Sequence, residues 1–262
     1  EIDFVIFATL SPDYYFPGCG VLVQKELGLK TVGALDIRNQ CSGFIYALSI
    51  ADQFIKTGMY KNILVIGAET QSPALDMSTR GRNMAVLFGD GAGAAVVSRS
   101  DDPARGILST HLHSQGEHAT ELAMITPGVG TKWVPQILAE NDPDDVSYYP
   151  YMNGQFVFKN AVVRFAEVIE EGLKANGLSR EDISILIPHQ ANYRISQFVQ
   201  HQFKLSDEQI FNNIMKYGNT TAASVPIALT EAVQQGRIKE GDLVVLAAFG
   251  SGFTWGSAII RW

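Results

Sequence analysis

The chain is poor in cysteine and has no excess of basic residues, and each shortage excludes a class of protein. Its 262 residues include two cysteines, Cys19 and Cys41, too few for a disulfide framework. Such low cysteine usage is typical of a reducing compartment, so we expect a cytoplasmic protein. The 20 lysine and arginine residues are outnumbered by 27 aspartate and glutamate residues, which gives a net charge of −7. A nucleic-acid-binding protein would need a basic face, and this composition argues against one.

Long apolar runs and metal-ligand spacings are also absent from the sequence. No stretch of about 18 apolar residues occurs, so no membrane-spanning helix is expected. The first three residues lack the basic leader of a signal peptide. No spacing typical of a metal site occurs, and we expect no metal or redox cofactor. What the chain does contain is 46% hydrophobic residues and 24 glycines, which suits an α/β protein with a large core and tight turns.

Cys41 lies where a predicted strand gives way directly to a predicted helix. Residues 32–37 are predicted to form a short buried strand, and apolar residues recur at helical spacing over residues 44–60. A thiol in the first turn of a helix lies near the positive end of the helix dipole and near unpaired backbone N–H groups. Both lower its pKa and favour the nucleophilic thiolate. A lone cysteine is more often a small buried core residue, which is our interpretation of Cys19.

A histidine and an asparagine stand at two further junctions of this kind. His189 follows an apolar strand predicted over residues 183–187, and Asn219 lies in a polar loop that leads into a helix predicted over residues 225–233. Such junctions can converge at one end of a sheet. Cysteine catalysis needs a nucleophile, a group that handles protons or polarises a carbonyl, and a second hydrogen-bond donor. Together the three residues favour a catalytic site.

The same supersecondary unit occurs twice in the chain, offset by roughly 180 residues. Residues 2–7 match residues 182–187, residues 61–67 match residues 240–246, and residues 85–97 match residues 248–260. In both copies a glycine-rich turn joins two apolar segments, which predicts a hairpin. The repeat indicates two related α/β halves with mixed sheets.

The two copies differ in what precedes them. An amphipathic helix is predicted over residues 156–175, before the first strand of the second copy, and nothing equivalent precedes Ile2. We therefore expect that the first half lacks its opening elements, and that an N-terminal portion is missing. A packed half without such a helix would expose apolar surface.

Five motifs in a fixed order carry a resemblance to a known family. They are CSGF at residues 41–44, FGDGAGA at 88–94, PHQAN at 188–192, GNT at 218–220 and FTWGS at 253–257. In these motifs the chain resembles β-ketoacyl-[acyl carrier protein] synthase III, a family of thiolase-like condensing enzymes. The resemblance implies a five-layered α/β/α/β/α fold built from two duplicated halves with mixed sheets. It divides the chain into an N-terminal half (1–116), an expanded insertion or lid segment (117–151) and a C-terminal half (152–262).

The resemblance also implies the chemistry. Cys41 would attack an acyl-coenzyme A thioester and hold the acyl group. His189 and Asn219 would then polarise the carbonyl of a malonyl thioester, whose decarboxylation gives the enolate that attacks the acyl-Cys41 carbonyl. The backbone N–H groups of Cys41 and Ser251 would form the oxyanion hole, and Ser251 stands where many relatives have glycine. Coenzyme A enters as part of a substrate, and no cofactor is implied.

Substrate and partner contacts follow from the same resemblance. Phe16 would close the acyl pocket of a partner subunit, which implies a homodimer, and Arg80 would contact coenzyme A. Gly154 and Gln155 would line the substrate channel, with Gln155 in the place of a common asparagine.

An acidic carrier protein would dock on basic residues, and Lys159 and Arg194 occupy two of the expected positions. Two further positions, usually basic, hold His201 and Gln202. The loss of two lysine or arginine cations weakens the expected electrostatic steering, so malonyl-coenzyme A stays open as the donor. The expanded segment, with DPDD at residues 142–145, is either a lid or channel wall or a surface loop.

Several functions remain open at this point. The first is an initiating enzyme that joins a short acyl group to malonyl-carrier protein in fatty-acid biosynthesis. The second is a specialised relative that uses a longer or unusual acyl chain, or coenzyme A donors. The third is an acyltransferase or thioester hydrolase that loads Cys41 without condensing. A non-catalytic subunit is disfavoured because Cys41, His189 and Asn219 are all present.

Overall fold

Ten strands and eight helices make up the computed structural model, which describes residues 1–142 and 144–262. Pro143, within the predicted insertion, lies outside the described residues. The strands are β1 Phe4–Ala8, β2 Gly33–Ile37, β3 Asn62–Glu69, β4 Gly91–Ser98, β5 Gly106–Ser114, β6 Leu122–Ala123, β7 Tyr151–Met152, β8 Ile185–Pro188, β9 Leu243–Gly250 and β10 Thr254–Arg261. The helices are α1 Cys19–Glu26, α2 Gly43–Lys56, α3 Arg82–Ala85, α4 Val134–Glu140, α5 Gly154–Ala175, α6 Tyr193–Phe203, α7 Ile214–Tyr217 and α8 Ser224–Gln234.

Two four-stranded mixed sheets carry the core. The first has the order β2-β1-β3-β4, with β1 parallel to both neighbours and β4 antiparallel to β3. The second has the order β5-β10-β9-β8, with β8 parallel to β9 and β10 antiparallel to both its neighbours. Strands β1 and β9 are buried along their whole length. Their continuous apolar sequences are those expected of strands covered on both faces.

Helices α2 and α8 lie between the two sheets. Helix α2 packs on β1 and β3 of the first sheet and on β5 and β10 of the second, and α8 packs on β4 and β8. Both are apolar around most of their circumference, as helices covered on two sides must be. Helix α1 covers the outer face of the first sheet, and α5 covers the outer face of the second. The predicted five-layered thiolase-like fold is confirmed.

The repeat is confirmed in its strands but not in both of its hairpins. Strands β9 and β10 form the predicted hairpin in the second copy. In the first copy, residues 85–89 form no strand, and Phe88 makes only an isolated bridge to Asn219. The reason is that the loop of the second half occupies this edge, where Gly89 N–H donates to the carbonyl of Asn219 at 3.0 Å. Residues 85–89 therefore connect the first half of the chain to the second through hydrogen bonds, instead of forming a hairpin strand.

Two other expectations need adjustment. The strand predicted as buried, β2, is half exposed because it is an edge strand with a single neighbour in its sheet. Strand β5 falls within the range 1–116 but pairs with β10 of the second sheet. The sheets therefore do not separate at residue 116, and the division of the chain into domains stays a prediction.

Candidate active site

Cys41 sits in a single 3₁₀ turn, Gln40–Ser42, between β2 and the start of α2. Gln40 adopts a φ of 43°, a left-handed conformation that is costly for a residue with a side chain. The thiol is buried against Gly250 at the end of β9, where an added Cβ would lie 2.5 Å from Cys41 Cβ and 2.9 Å from Sγ. A glycine is therefore required at this position for the nucleophile to fit.

The backbone N–H groups of Ser251 and of Cys41 itself lower the pKa of the Cys41 thiol. Both are donors that an oxyanion formed at this position could use. Burial, and after it the charge of the nearby Glu69 carboxylate, nevertheless raise the pKa of the Cys41 thiol to about 12. The prediction that the helix start keeps Cys41 as a thiolate is therefore wrong for the resting protein, because desolvation outweighs the two N–H donors.

His189 follows β8, where its backbone N–H donates to the carbonyl of Ala247 at 2.8 Å. Its ring is buried, with Nδ1 lying 2.6 Å from Ser224 Oγ, and Nε2 has no hydrogen-bond partner among the described residues. Burial lowers the pKa of His189 to about 3. The ring is therefore neutral at physiological pH and carries one proton.

The partners of the Ser224 hydroxyl indicate where that proton is. Ser224 Oγ accepts a long hydrogen bond from Gln190 N–H at 3.4 Å, and its own proton needs an acceptor. Within the described chain, His189 Nδ1 is the acceptor in reach. A hydroxyl that donates to Nδ1 requires the ring proton to be on Nε2. His189 therefore presents Nε2–H as a donor.

Asn219 is oriented in a comparable way. Its Oδ1 accepts from the backbone N–H of Thr221 at 2.9 Å, which leaves the Nδ2 donors pointing elsewhere. Its backbone is fixed as well, since Asn219 N–H donates to the carbonyl of Leu87 at 2.8 Å. The amide and the imidazole are thus two neutral donors with fixed orientation.

One cavity of about 1270 Å³ contains all three predicted catalytic residues. Cys41, His189 and Asn219 line it together with Ser251, Gly154 and Arg194. No aspartate or glutamate of the described chain lines the cavity, whereas Arg38 does. The arrangement can bind a thioester, stabilise a negative oxygen and hold an acyl group on sulfur.

Other predicted contact residues lie outside this cavity. The Arg80 guanidinium lies 2.6 Å from the Asp76 carboxylate, and its Cζ lies 5.2 Å from the centroid of the Tyr149 ring. Arg80 therefore contacts the predicted insertion, to which Tyr149 belongs. Phe16 is 80% exposed, and its predicted role concerns a second copy of the chain. Gln155 and Lys159 are exposed on α5. Their predicted contacts with coenzyme A, a second subunit and a carrier protein stay predictions.

Two residues of the site were not predicted. Ser224 orients His189 and is 2% exposed at the start of α8. Glu69 ends β3 as a buried carboxylate that accepts from Ser11 Oγ at 2.7 Å, and burial raises its pKa. A glutamate after an apolar strand ordinarily indicates a solvent-exposed turn, so the sequence offered no indication of its burial.

The fold and the cysteine, histidine and asparagine in one cavity define the class of the protein, a thiolase-like condensing enzyme. A model of 3-oxoacyl-[acyl-carrier-protein] synthase III matches residues 35–116, and the model of its C-terminal part matches residues 173–262. The chain belongs to the β-ketoacyl-[acyl-carrier-protein] synthase III family and is, as a member, an acyltransferase.

Relatives agree over the whole chain. The β-ketoacyl-[acyl-carrier-protein] synthase III of Rhodospirillum centenum is 47% identical over 265 residues, which cover 100% of this chain and 77% of the relative. The crystal structure of the Aquifex aeolicus enzyme is 44% identical with a TM-score of 0.89, and that of the Pseudomonas aeruginosa enzyme is 34% identical with a TM-score of 0.88. Each comparison covers 100% of this chain and 77% of the solved one. No helix in the described part of the chain is long and apolar enough to cross a membrane.

Proposed function

We propose that the chain catalyses a decarboxylative Claisen condensation between an acyl-coenzyme A primer, held as a thioester on Cys41, and a malonyl thioester. The observation that carries the proposal is the donor set in one cavity. Two backbone N–H groups act on the Cys41 sulfur and lower the pKa of its thiol, while His189 and Asn219 present two neutral side-chain donors. The product is a β-ketoacyl thioester for fatty-acid or related biosynthesis.

In the acylation step, the Cys41 sulfur attacks the thioester carbonyl carbon and forms a new C–S bond. The carbonyl oxygen becomes negative and accepts hydrogen bonds from the N–H groups of Cys41 and Ser251. The bond to the departing sulfur then breaks, and the proton lost by Cys41 ends on the released thiol. Because the pKa of the Cys41 thiol is about 12, only a small fraction is thiolate at neutral pH, and this fraction limits the rate of attack.

In the condensation step, the malonyl thioester loses CO2 and the electron pair of the broken C–C bond forms an enolate. His189 Nε2–H and Asn219 Nδ2–H donate to the enolate oxygen. The carbanion carbon attacks the acyl-Cys41 carbonyl, the C–S bond to Cys41 breaks, and the released Cys41 thiolate takes up a proton from water. Removing one donor of this type typically costs about 3 kcal/mol in activation free energy.

The neutral state of His189 supports this assignment over a general-base role. An imidazole with a pKa near 3 is a poor base at neutral pH, whereas its Nε2–H remains a donor across the physiological range. The malonyl donor carries a negative charge, and the cavity is complementary to it because Arg38 and Arg194 line it and no carboxylate of the described residues does. The donor is malonyl-carrier protein or malonyl-coenzyme A, and Arg194 at the cavity would serve either.

The test combines two measurements on one preparation. Intact-mass spectrometry with an acyl-coenzyme A measures acylation, and release of labelled CO2 from carboxyl-labelled malonyl thioester measures condensation. Cys41→Ala should abolish the acyl adduct. His189→Ala and Asn219→Ala should keep the adduct and lose CO2 release by about a hundredfold each. An adduct that hydrolyses in the wild-type chain without CO2 release would instead identify a thioester hydrolase or simple acyltransferase.

A further inference from the structure

Gln71 is a buried glutamine where the two halves of the chain meet, and the mechanism described above does not use it. It follows β3, is 7% exposed and lines the catalytic cavity. A buried side-chain amide is costly unless it is hydrogen-bonded. Its Nε2 donates to Thr221 Oγ1, across a separation of 150 residues. Thr221 lies two residues after Asn219, so this contact reaches the loop that carries a catalytic donor.

Thr221 is held in a conformation that its residue type disfavours. Its φ is 50°, in the left-handed region, where a β-branched residue is an outlier. Such a conformation persists where surrounding contacts hold it. Gln71 fixes the Thr221 side chain, and Glu69 Oε1 accepts a long hydrogen bond from the next backbone N–H, that of Ala222, at 3.5 Å. The backbone N–H that Thr221 presents in this conformation is the one that Asn219 Oδ1 accepts at 2.9 Å.

Gln71 is itself fixed by Asp90 of the FGDGAGA motif. Asp90 Oδ1 accepts from the backbone N–H groups of Gln71 at 2.7 Å and Ser72 at 2.9 Å, and Oδ2 accepts from Ser72 Oγ at 2.6 Å. The hydrogen bonds from Ser72 lower the pKa of Asp90, so the acceptor is a carboxylate at neutral pH. The residue before Asp90 is Gly89, whose N–H donates to the Asn219 carbonyl. The motif therefore holds the Asn219 loop directly at its backbone and indirectly through Gln71.

The orientation of the Asn219 amide decides which of its atoms an enolate would meet. A half-turn of the amide exchanges Oδ1 and Nδ2 with almost no change in shape. After such a turn, a partly negative carbonyl oxygen would face the negative enolate oxygen instead of an N–H donor. The hydrogen bond from the Thr221 N–H to Oδ1 selects the orientation in which Nδ2 is free to donate. The position of Thr221 is therefore part of the donor site.

We propose that Gln71 is a positioning residue for the condensation step: it holds Thr221 so that the Thr221 N–H directs the Nδ2 donors of Asn219 to the enolate oxygen. The inference rests on the proposed function, since the role of Asn219 belongs to it. Gln71 acts on Asn219 and not on Cys41, so acylation does not depend on it. The competing interpretation is a direct contact between Gln71 and the acyl group, which would change acylation instead.

The first test compares acylation with condensation. Gln71→Leu, which removes the amide at similar size, should lower CO2 release from the malonyl thioester by about tenfold and leave acylation of Cys41 unchanged. Thr221→Val should cause the same loss, and Thr221→Ser, which keeps the acceptor hydroxyl, should recover it. Gln24→Leu is the matched control, because Gln24 Nε2 donates to the carbonyl of Leu29 at 2.7 Å outside the cavity. Equal slowing of acylation and CO2 release in Gln71→Leu would overturn the proposal.

Double variants identify the residue through which Gln71 acts. In the Asn219→Ala background, Gln71→Leu should cause no further loss of CO2 release, because the amide that it positions is gone. In the His189→Ala background, it should still cause a loss of about tenfold. A general loss of structure would not distinguish the two backgrounds. The same further loss in both backgrounds would overturn the proposal.

Nitrogen NMR shifts of the Asn219 side-chain amide, assigned by their loss in Asn219→Ala, separate this proposal from the proposed function. If the shifts move in Gln71→Leu and not in Gln24→Leu, the positioning role of Gln71 holds even where the wild-type chain releases no CO2. If the wild type releases CO2 and Gln71→Leu changes neither the shifts nor the rate, the proposed function holds and the positioning role fails. Thermal unfolding midpoints identify any variant that fails to fold, and Thr221→Val then tests the same hydrogen bond from its other side.

Discussion

Ser224 Oγ lies 2.6 Å from His189 Nδ1, and both groups are buried. The contact decides the chemistry of the other ring nitrogen, Nε2, which is in the cavity without a protein partner among the described residues. If Nδ1 carried the proton, the Ser224 hydroxyl would lack an acceptor and Nε2 would present a lone pair to a negative enolate. A buried hydroxyl without an acceptor costs about 1–3 kcal/mol. The serine therefore positions a donor.

Replacing Ser224 tests this relationship. Ser224→Ala should lower CO2 release from the malonyl thioester by about tenfold and leave the yield of acyl-Cys41 unchanged. The ring proton would redistribute between Nδ1 and Nε2, which nitrogen NMR shifts of His189 would report directly. Ser224→Thr, which retains the hydroxyl, should recover the shifts. Ser109→Ala is the matched control, because Ser109 Oγ lies 2.9 Å from His111 Nε2 outside the cavity. Unchanged His189 shifts in Ser224→Ala would contradict the assignment.

The depressed pKa of His189 predicts how stability varies with pH. The folded chain keeps the ring neutral down to about pH 3, whereas the unfolded chain takes up a proton below about pH 6.5. Between these values the unfolded state binds more protons, so the free energy of unfolding falls as the pH is lowered. The contribution of this residue is about 2 kcal/mol between pH 7 and pH 5.

Urea unfolding of the wild type and of His189→Gln at pH 7 and pH 5 measures this contribution. The glutamine variant retains the other titratable groups, so the difference between the two pH dependences isolates His189. The wild type should lose more stability than the variant over this interval. Equal losses would show that the ring is already charged or solvated in the folded chain.

The raised pKa of Cys41 predicts slow alkylation in the free protein. With a pKa near 12, the thiolate fraction should rise about tenfold per pH unit between pH 7 and pH 9, without reaching a plateau. Site-resolved mass spectrometry after iodoacetamide treatment measures this rate at Cys41. Glu69→Gln removes a negative charge that raises the pKa, and the variant should react several times faster at each pH. A plateau below pH 9 in the wild type would mean that the thiol ionises readily.

The sequence was enough to select three residues that line one cavity, because Cys41 and His189 stand at predicted strand-to-helix junctions and Asn219 lies in a polar loop before a predicted helix. Ser224 and Glu69 could not be found in that way. Ser224 acts through a contact with a residue 35 positions away, and Glu69 is buried by loops of the first half and by the backbone N–H of Ala222. Their roles depend on how the two halves meet. The ionisation of Cys41 was mispredicted for a related reason, since a helix start describes the donors and says nothing about desolvation.

Gly250 also acts through packing between distant segments, because it leaves room for the Cys41 side chain, and a substitution at this position tests that contact. Its backbone is not left-handed, so alanine would be tolerated in conformation, and the obstacle is the contact with Cys41, 2.5 Å from the added Cβ to Cys41 Cβ. Gly250→Ala must displace the nucleophile or the strand end, at a cost of about 1–3 kcal/mol in stability. Displacement would separate Cys41 from the Ser251 N–H, so acylation should fall by at least about a hundredfold. Gly116→Ala, where no atom lies within 4 Å of the added Cβ, is the matched control. Full acylation activity in Gly250→Ala, measured by intact mass beside a thermal unfolding curve, would show that the site does not depend on this contact.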